Sequence, residues 1–305
     1  MALEPDLLLD RRRLKRQLAF WRTGLVLAVV AALAFFFAGR GEAPGVLGGQ
    51  YVARLTLSGT ITEDRRMLRL LERAARDEQV RALLVVINSP GGSVAGGEAF
   101  HAAIARVREA GKPVVAVMGG TAASAGYMVA LPAHRIFARE ATLTGSIGVL
   151  MQSFNAADLL ETLGVRPETI ASGPLKDQPS PFRPLTEEGR ASLSAVVEDM
   201  QAQFVAMVVA GRNMPEAEVR ALADGRVLTG RQALALGLLD AIGGEAEARA
   251  WLAEAHDIPR SLRVRDLDPR GTAERALSTT GDAFWGAATR WLRSEGLLPG
   301  EISLR

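Results

Sequence analysis

Two short apolar runs limit what this chain can become. Residues 82–87 read ALLVVI and residues 114–118 read VVAVM, and each passes through a glycine-rich stretch into a helical pattern. A run of strand length with no polar alternation fits a strand covered on both faces, as in a parallel sheet. Parallel neighbours need crossover connections, so the pattern predicts an α/β fold with parallel strands and crossover helices. The two stretches that follow are Asn88-Ser89-Pro90-Gly91-Gly92-Ser93 and Gly119-Gly120-Thr121-Ala122-Ala123-Ser124-Ala125-Gly126. Both read as strand-to-helix turns. The first amides of a helix lack internal acceptors, and where glycine removes bulk they can face a developing negative charge. Ser124 stands at the head of the second turn, which is the arrangement acyl-transfer chemistry requires. Its spacing is not Gly-x-Ser-x-Gly, because Gly120 lies four residues before it. Two such turns at the same ends of neighbouring strands converge on the crevice where α/β sheets bind ligands, and Ala122, Ala123 and Ala125 are expected to line it.

The rest of the chain continues the alternation. Residues 51–57 predict a strand and 62–75 a helix with Met67, Leu70, Leu71 and Ala74 on one face. A helix is expected over 94–110, ended by Gly111-Lys112-Pro113. Residues 142–149 predict another glycine-punctuated strand, 155–163 a helix, 167–170 a strand and 186–211 a long amphipathic helix. Residues 171–184 hold four prolines and read as a loop.

The start of the chain differs in kind. Residues 1–22 carry six basic groups against three acidic ones, whereas the remainder is balanced, 30 basic against 31 acidic. A basic tail on a neutral body gives no nucleic-acid surface. Residues 23–39 are uncharged and apolar, at the short end of what spans a bilayer. With no clean small-residue cleavage site after Phe35-Phe36-Phe37, they predict an uncleaved anchor rather than a signal peptide. The charge asymmetry places the first 22 residues in the cytoplasm and the remainder outside. The expected divisions are a cytoplasmic tail over 1–22, an anchor over 23–39, a linker over 40–50, a catalytic domain over 51–267 and an amphipathic tail over 268–305. The last carries Trp285 and Trp291 on one side of a helix.

Ser124 needs a base. There is no cysteine, which removes thiolate and disulfide chemistry, and no metal or other cofactor is expected. His101, His134 and His256 each have a more ordinary structural reading. Arginine keeps its proton in proteins whereas desolvated lysine can lose it. The chain has three lysines, Lys15, Lys112 and Lys176, and the last is alone in the proline-rich loop.

Taken together, residues 87–94, 118–127 and 143–149, the stretch Ser172-Gly173-Pro174-Leu175-Lys176-Asp177, the run 224–233, and Gly237-Leu238-Leu239-Asp240 resemble the signal peptide peptidase A family. These are S49 serine peptidases, here in the short, single-repeat form, and the match runs in order over about 51–244. The resemblance implies a crotonase and caseinolytic-protease-like fold. It implies Ser124 as nucleophile, Lys176 as general base and Ser146 as the hydroxyl that orients the lysine. It also implies that amides of Gly92, Ala125 and Gly91 hold the oxyanion. The expected activity is hydrolysis of remnant signal peptides or other hydrophobic membrane-associated peptides at a bacterial inner membrane, on its extracytoplasmic side. Relatives form homo-oligomeric rings whose sites draw Ser and Lys from neighbouring subunits. Two rivals share the glycine signature: a caseinolytic-type peptidase with a Ser-His-Asp site, and a non-proteolytic crotonase-like acyl-transfer enzyme. The first lacks a histidine near Val149, and the second has no use for Ser124, Lys176 and an anchor.

Overall fold

In a computed structural model of the chain, residues 21–25 and 49–269 are described. Residues 21–25 are helical and exposed. All but the first three residues of the expected anchor lie outside the described residues, as do the amphipathic tail beyond residue 269 and most of the linker.

The unit from Gly49 to Pro269 is built on one sheet. Strand β1 is Tyr51–Ser58, β2 is Val80–Ser89 and β3 is Val114–Ala123. They are parallel and adjacent, joined through helices α1 (Arg65–Arg76) and α2 (Val94–Glu109). Strand β3 then forks. Its first half pairs with β4 (Arg135–Ala138), and its second half pairs with β5 (Leu143–Gly145). The sheet is completed by β6 (Val227–Thr229), antiparallel to β5, by β7 (Ala241–Ile242) beside β4, and by β8 (Val264–Asp266) beside β1.

Both faces are covered, as the unbroken apolar runs require. Leu83, Val85 and Ile87 of β2 and Val114, Ala116 and Met118 of β3 join Phe100, Ile104 and Val107 of α2 in the larger core. The alternate residues, Leu84, Val115 and Val117, meet Ala248 and Leu252 of the helix Glu245–His256 on the other side. Period-two alternation thus feeds two apolar layers from the same strands.

The strand β3 is longer than the sequence predicts. Gly119–Ala123 read as part of a turn, yet they continue the strand as an irregularity: Ile87 opposes Met118, and the next pair in register is Ser89 with Ala122. Three polar contacts hold the extra residues. Asn88 Oδ1 accepts the Thr121 N–H at 3.2 Å, Thr142 Oγ1 donates to Gly119 O at 2.7 Å, and Thr144 Oγ1 donates to Ala122 O at 2.8 Å. The turn is thereby reduced to a single residue, Ser124, before the short helix α3 (Ala125–Ala130). Two other expectations are corrected. Strand β5 stops at Gly145, and residues 167–170 form no strand, with Ile170 fully exposed.

Between β5 and the long helix α5 (Glu187–Arg212), the chain makes an excursion whose only helix is α4 (Ala157–Thr162). The Thr186 hydroxyl caps α5 by accepting the Gly189 N–H at 3.0 Å. Helix α5 is long and apolar enough to cross a membrane by length and composition alone. Its second half, however, seats Phe204, Val205 and Val208 in the core, so that half is accounted for by packing.

Candidate active site

Ser124 sits where β3 gives way to α3, with φ 53° and ψ −122°. A residue with a Cβ is disfavoured there, so surrounding bonds must hold it. The Ser124 N–H donates to Gly145 O at 2.9 Å, and its carbonyl accepts the Met128 N–H at 3.0 Å. Ser146, one residue beyond β5, also has positive φ, 46°, and its N–H donates to Arg226 O at 2.8 Å. Among the described residues, four non-glycine positions have positive φ. Asn213 and Asp257 are left-handed helix caps, and the other two are these serines.

The first glycine turn lies against the second. A Cβ on Gly91 would come within 3.0 Å of Ser124 Cβ, so a side chain there would close over the hydroxyl. A Cβ on Gly92 would stand 1.9 Å from Ile61 O. That close approach forms an isolated bridge in which Ile61 N–H donates to Gly91 O at 2.8 Å and Ser93 N–H donates to Ile61 O at 3.0 Å. Gly91 N–H is committed to Ser89 Oγ at 3.1 Å. By contrast, the Gly92 N–H and the Ala125 N–H, the latter on the first residue of α3, have no acceptor among the described residues. Two free amides therefore flank the serine, and Gly91 contributes by lacking a side chain.

Ser124, Ser146, Gly91 and Gly92 line one cleft of about 940 Å³. Its other walls were not foreseen as site residues: Val197, Glu198 and Gln201 of α5, and Asp224-Gly225 before β6. Long-range bonds bring them in. Gln201 Nε2 donates to Ala223 O at 2.8 Å and the Gly225 N–H donates to Ile147 O at 3.2 Å, while the Arg226 guanidinium, two residues from Asp224, lowers that carboxyl to about 2. The run 224–233 carried part of the family resemblance without a role assigned to it, which was the available signal. Ala122, Ala123 and Ala125, expected to line the crevice, are instead buried and do not line the cleft.

Lys176 lies elsewhere. It occupies an exposed turn, its N–H donating to Gly173 O at 3.2 Å, and it is not among the residues that line the Ser124 cleft. The turn is fastened to the rest of the excursion by the Asp177–Arg183 ion pair at 2.9 Å and by Ala156 N–H donating to Pro181 O at 2.8 Å. None of the three histidines lines the cleft either. His101 and His134 border a separate cavity, and His256 packs edge-on to Trp251.

Comparison with known proteins places this geometry. Residues 106–259 match the model of peptidase family S49, and residues 56–145 match that of Clp protease. The sheet with its crossover helices is accordingly the crotonase and caseinolytic-protease-like fold. The chain is 41% identical to a protease of Synechocystis sp. over 236 residues, which covers 76% of this chain and 84% of that one. It is 38% identical over 178 residues to a signal peptide peptidase SppA of Enterococcus faecium, covering 58% of this chain and 52% of the relative. It is 35% identical over 282 residues to Protease 4 of Salmonella typhi, covering 92% of this chain and 42% of the relative. The chain thus spans about half or less of the last two. It belongs to peptidase family S49, the signal peptide peptidase A family of serine-type peptidases.

Proposed function

We propose that the protein is a membrane-anchored serine endopeptidase in which Ser124 is the nucleophile and Lys176 the general base. Its substrates on this reading are remnant signal peptides or other hydrophobic membrane-associated peptides. The observation that carries the proposal is the strained Ser124 on the wall of a large cleft beside Gly92, whose amide, like that of Ala125 next to the serine in sequence, has no acceptor among the described residues. Strain concentrated on Ser124 and Ser146 is what a functional site would be expected to retain.

In the proposed reaction, a neutral Lys176 amine takes the Ser124 proton as Oγ bonds to the substrate carbonyl carbon. The carbonyl oxygen becomes an oxyanion, held by the Gly92 and Ala125 N–H groups. Collapse breaks the C–N bond, and the lysine returns its proton to the leaving amine. Water then hydrolyses the acyl-enzyme by the same proton path. Neutrality requires burial, which disfavours the charged form of an amine. Lys176 is exposed in its own chain and does not reach the cleft lining, so the reading pairs it with Ser124 of a neighbouring subunit in a homo-oligomer, where the contact buries it. Ser146 then orients the incoming amine through its hydroxyl. The apolar side chains of Val149, Leu150 and Val197 suit hydrophobic peptides, and a bilayer anchor keeps the cleft beside them.

Mixing tests the shared site. Ser124→Ala and Lys176→Ala proteins should each be inactive on an apolar fluorogenic peptide, and co-assembled they should regain part of the wild-type rate. Two inactive variants that stay inactive in a demonstrated mixed oligomer would refute the pairing between subunits. Undiminished hydrolysis by Ser124→Ala would refute the nucleophile itself.

A further inference from the structure

The Ser124 cleft has a neighbour. A second cavity of about 720 Å³ lies between residues 150–155, residues 179–185 and the first half of α5, and Leu150, Val197 and Glu198 line both spaces. Along α5, Arg190, Leu193, Val197 and Gln201 recur at helical spacing and so share one face. Arg190 and Leu193 belong to the second cavity, Val197 to both and Gln201 to the first. From Gln201 back to Arg190 is eleven residues, a rise of about 16 Å. An extended peptide covers that length in about five residues.

The face is left over from folding. Only Gly189 is buried in the first half of α5, and across the cavity Leu150 and Phe154 are 82% and 80% exposed. Charge along it is graded. Glu198 sits at the join with the catalytic cleft, and Arg183 and Arg190 lie in the second cavity. Arg183 is paired with Asp177, but the Arg190 guanidinium has no carboxylate partner among the described residues.

We propose that this face is a distal substrate subsite, and that Arg190 selects a carboxylate carried about five residues from the bond that is cut. The proposal rests on Ser124 being the nucleophile. The occupant is the substrate chain itself, because the cavity adjoins the cleft, with three residues lining both, and one helix face runs along the two. Leu150, Leu193 and Val197 receive apolar side chains, Glu198 disfavours an acidic residue next to the cleft, and Arg190 favours one at the far end. The carboxylate can be an Asp or Glu side chain or the end of the substrate chain, since both present the same charged oxygens to a guanidinium.

The full-length protein in detergent is tested on a set of apolar fluorogenic peptides. Each carries one Glu, or Gln in its place, at two to eight residues on either side of the cleaved bond. A second set ends in a free carboxylate or an amide at the same distances. The expected result is a Glu-over-Gln preference in kcat/KM of up to about fivefold, confined to four to six residues on one side and shrinking with added salt. A gain for the free chain end alone identifies the terminus as the source, and a gain for internal Glu identifies the side chain. In Arg190→Gln the preference should vanish, and in Arg190→Glu it should pass to Lys at the same position. Preferences that ignore Arg190, or a wild-type enzyme indifferent to Glu at every distance, would overturn the subsite while leaving the peptidase assignment intact. If no peptide is cut in a Ser124-dependent way, both fail together.

Discussion

Ser124 offers a test that separates the backbone from the chemistry. At φ 53° and ψ −122° the residue occupies a region where a Cβ costs about 1–3 kcal/mol. Ser124→Ala removes the hydroxyl and keeps the Cβ, hence the strain. Ser124→Gly removes both, but it loosens the unfolded chain by about 0.5–1 kcal/mol. The glycine variant should therefore be the more stable of the two by about 0.5–2 kcal/mol. In a domain of this size a difference of 1 kcal/mol moves Tm by about 2–4 °C, which calorimetry or urea unfolding followed by circular dichroism resolves. Both variants should be inactive on a peptide that the wild type cuts. An alanine variant more stable than the glycine variant by about 0.5–1 kcal/mol would mean that the turn holds no strain at Ser124.

Three further outcomes follow from the same geometry. Gly92→Ala forces a Cβ onto Ile61 O, so both backbone bonds of the Ile61 bridge must open: a loss of about 2 kcal/mol in unfolding assays and of about 10²–10³ in kcat is expected, whereas Gly120→Ala, facing nothing nearer than Asn88 Oδ1 at 3.5 Å, should change little. Arg212 donates to both Asp240 oxygens, at 2.8 and 3.1 Å, and to Gly237 O at 2.9 Å. Burial alone would raise the Asp240 carboxyl, but Arg212 and the Ile136 N–H bring it below its ordinary value. Stability from this group is therefore present above about pH 4 and lost as pH falls further, and Arg212→Ala should flatten that acid limb in unfolding curves and cost about 1–3 kcal/mol at neutral pH. Burial likewise holds the His101 imidazole below its ordinary range, so its contribution is full above about pH 6.5 and falls on acidification; Tm measured at pH 7.5 and 5.5 should converge in His101→Gln, and an unchanged difference would exclude the residue.

What could be read in advance followed the range of the interactions. Strands β2 and β3 were visible because a doubly covered strand writes itself as one apolar run, and α5 because Thr186 caps it and its pattern is long. Ser124 was visible because the glycine turns that frame it are local. The length of β3 was not, because Gly119 and Gly120 have turn propensity, and the stretch is held extended by Asn88, Thr142 and Thr144, 31, 23 and 25 residues away from Gly119 in sequence. The cleft walls from α5 and from Asp224-Gly225 were hidden for the same reason: nothing near Ser124 in sequence encodes them. Lys176 stood out by its type and its loop, but the structure keeps it on an exposed turn away from the Ser124 cleft of its own chain, which no local pattern foretold.

The excursion between Ser146 and Thr186 adds no strand to the sheet, and past Ile147 it buries only Ser180. Its sequence can therefore drift without disturbing the sheet that positions Ser124. A chimera carrying a relative's excursion on this sheet should still fold, and on the reading proposed above it would take from the donor both its taste in peptides and the lysine, while the host sheet keeps Ser124.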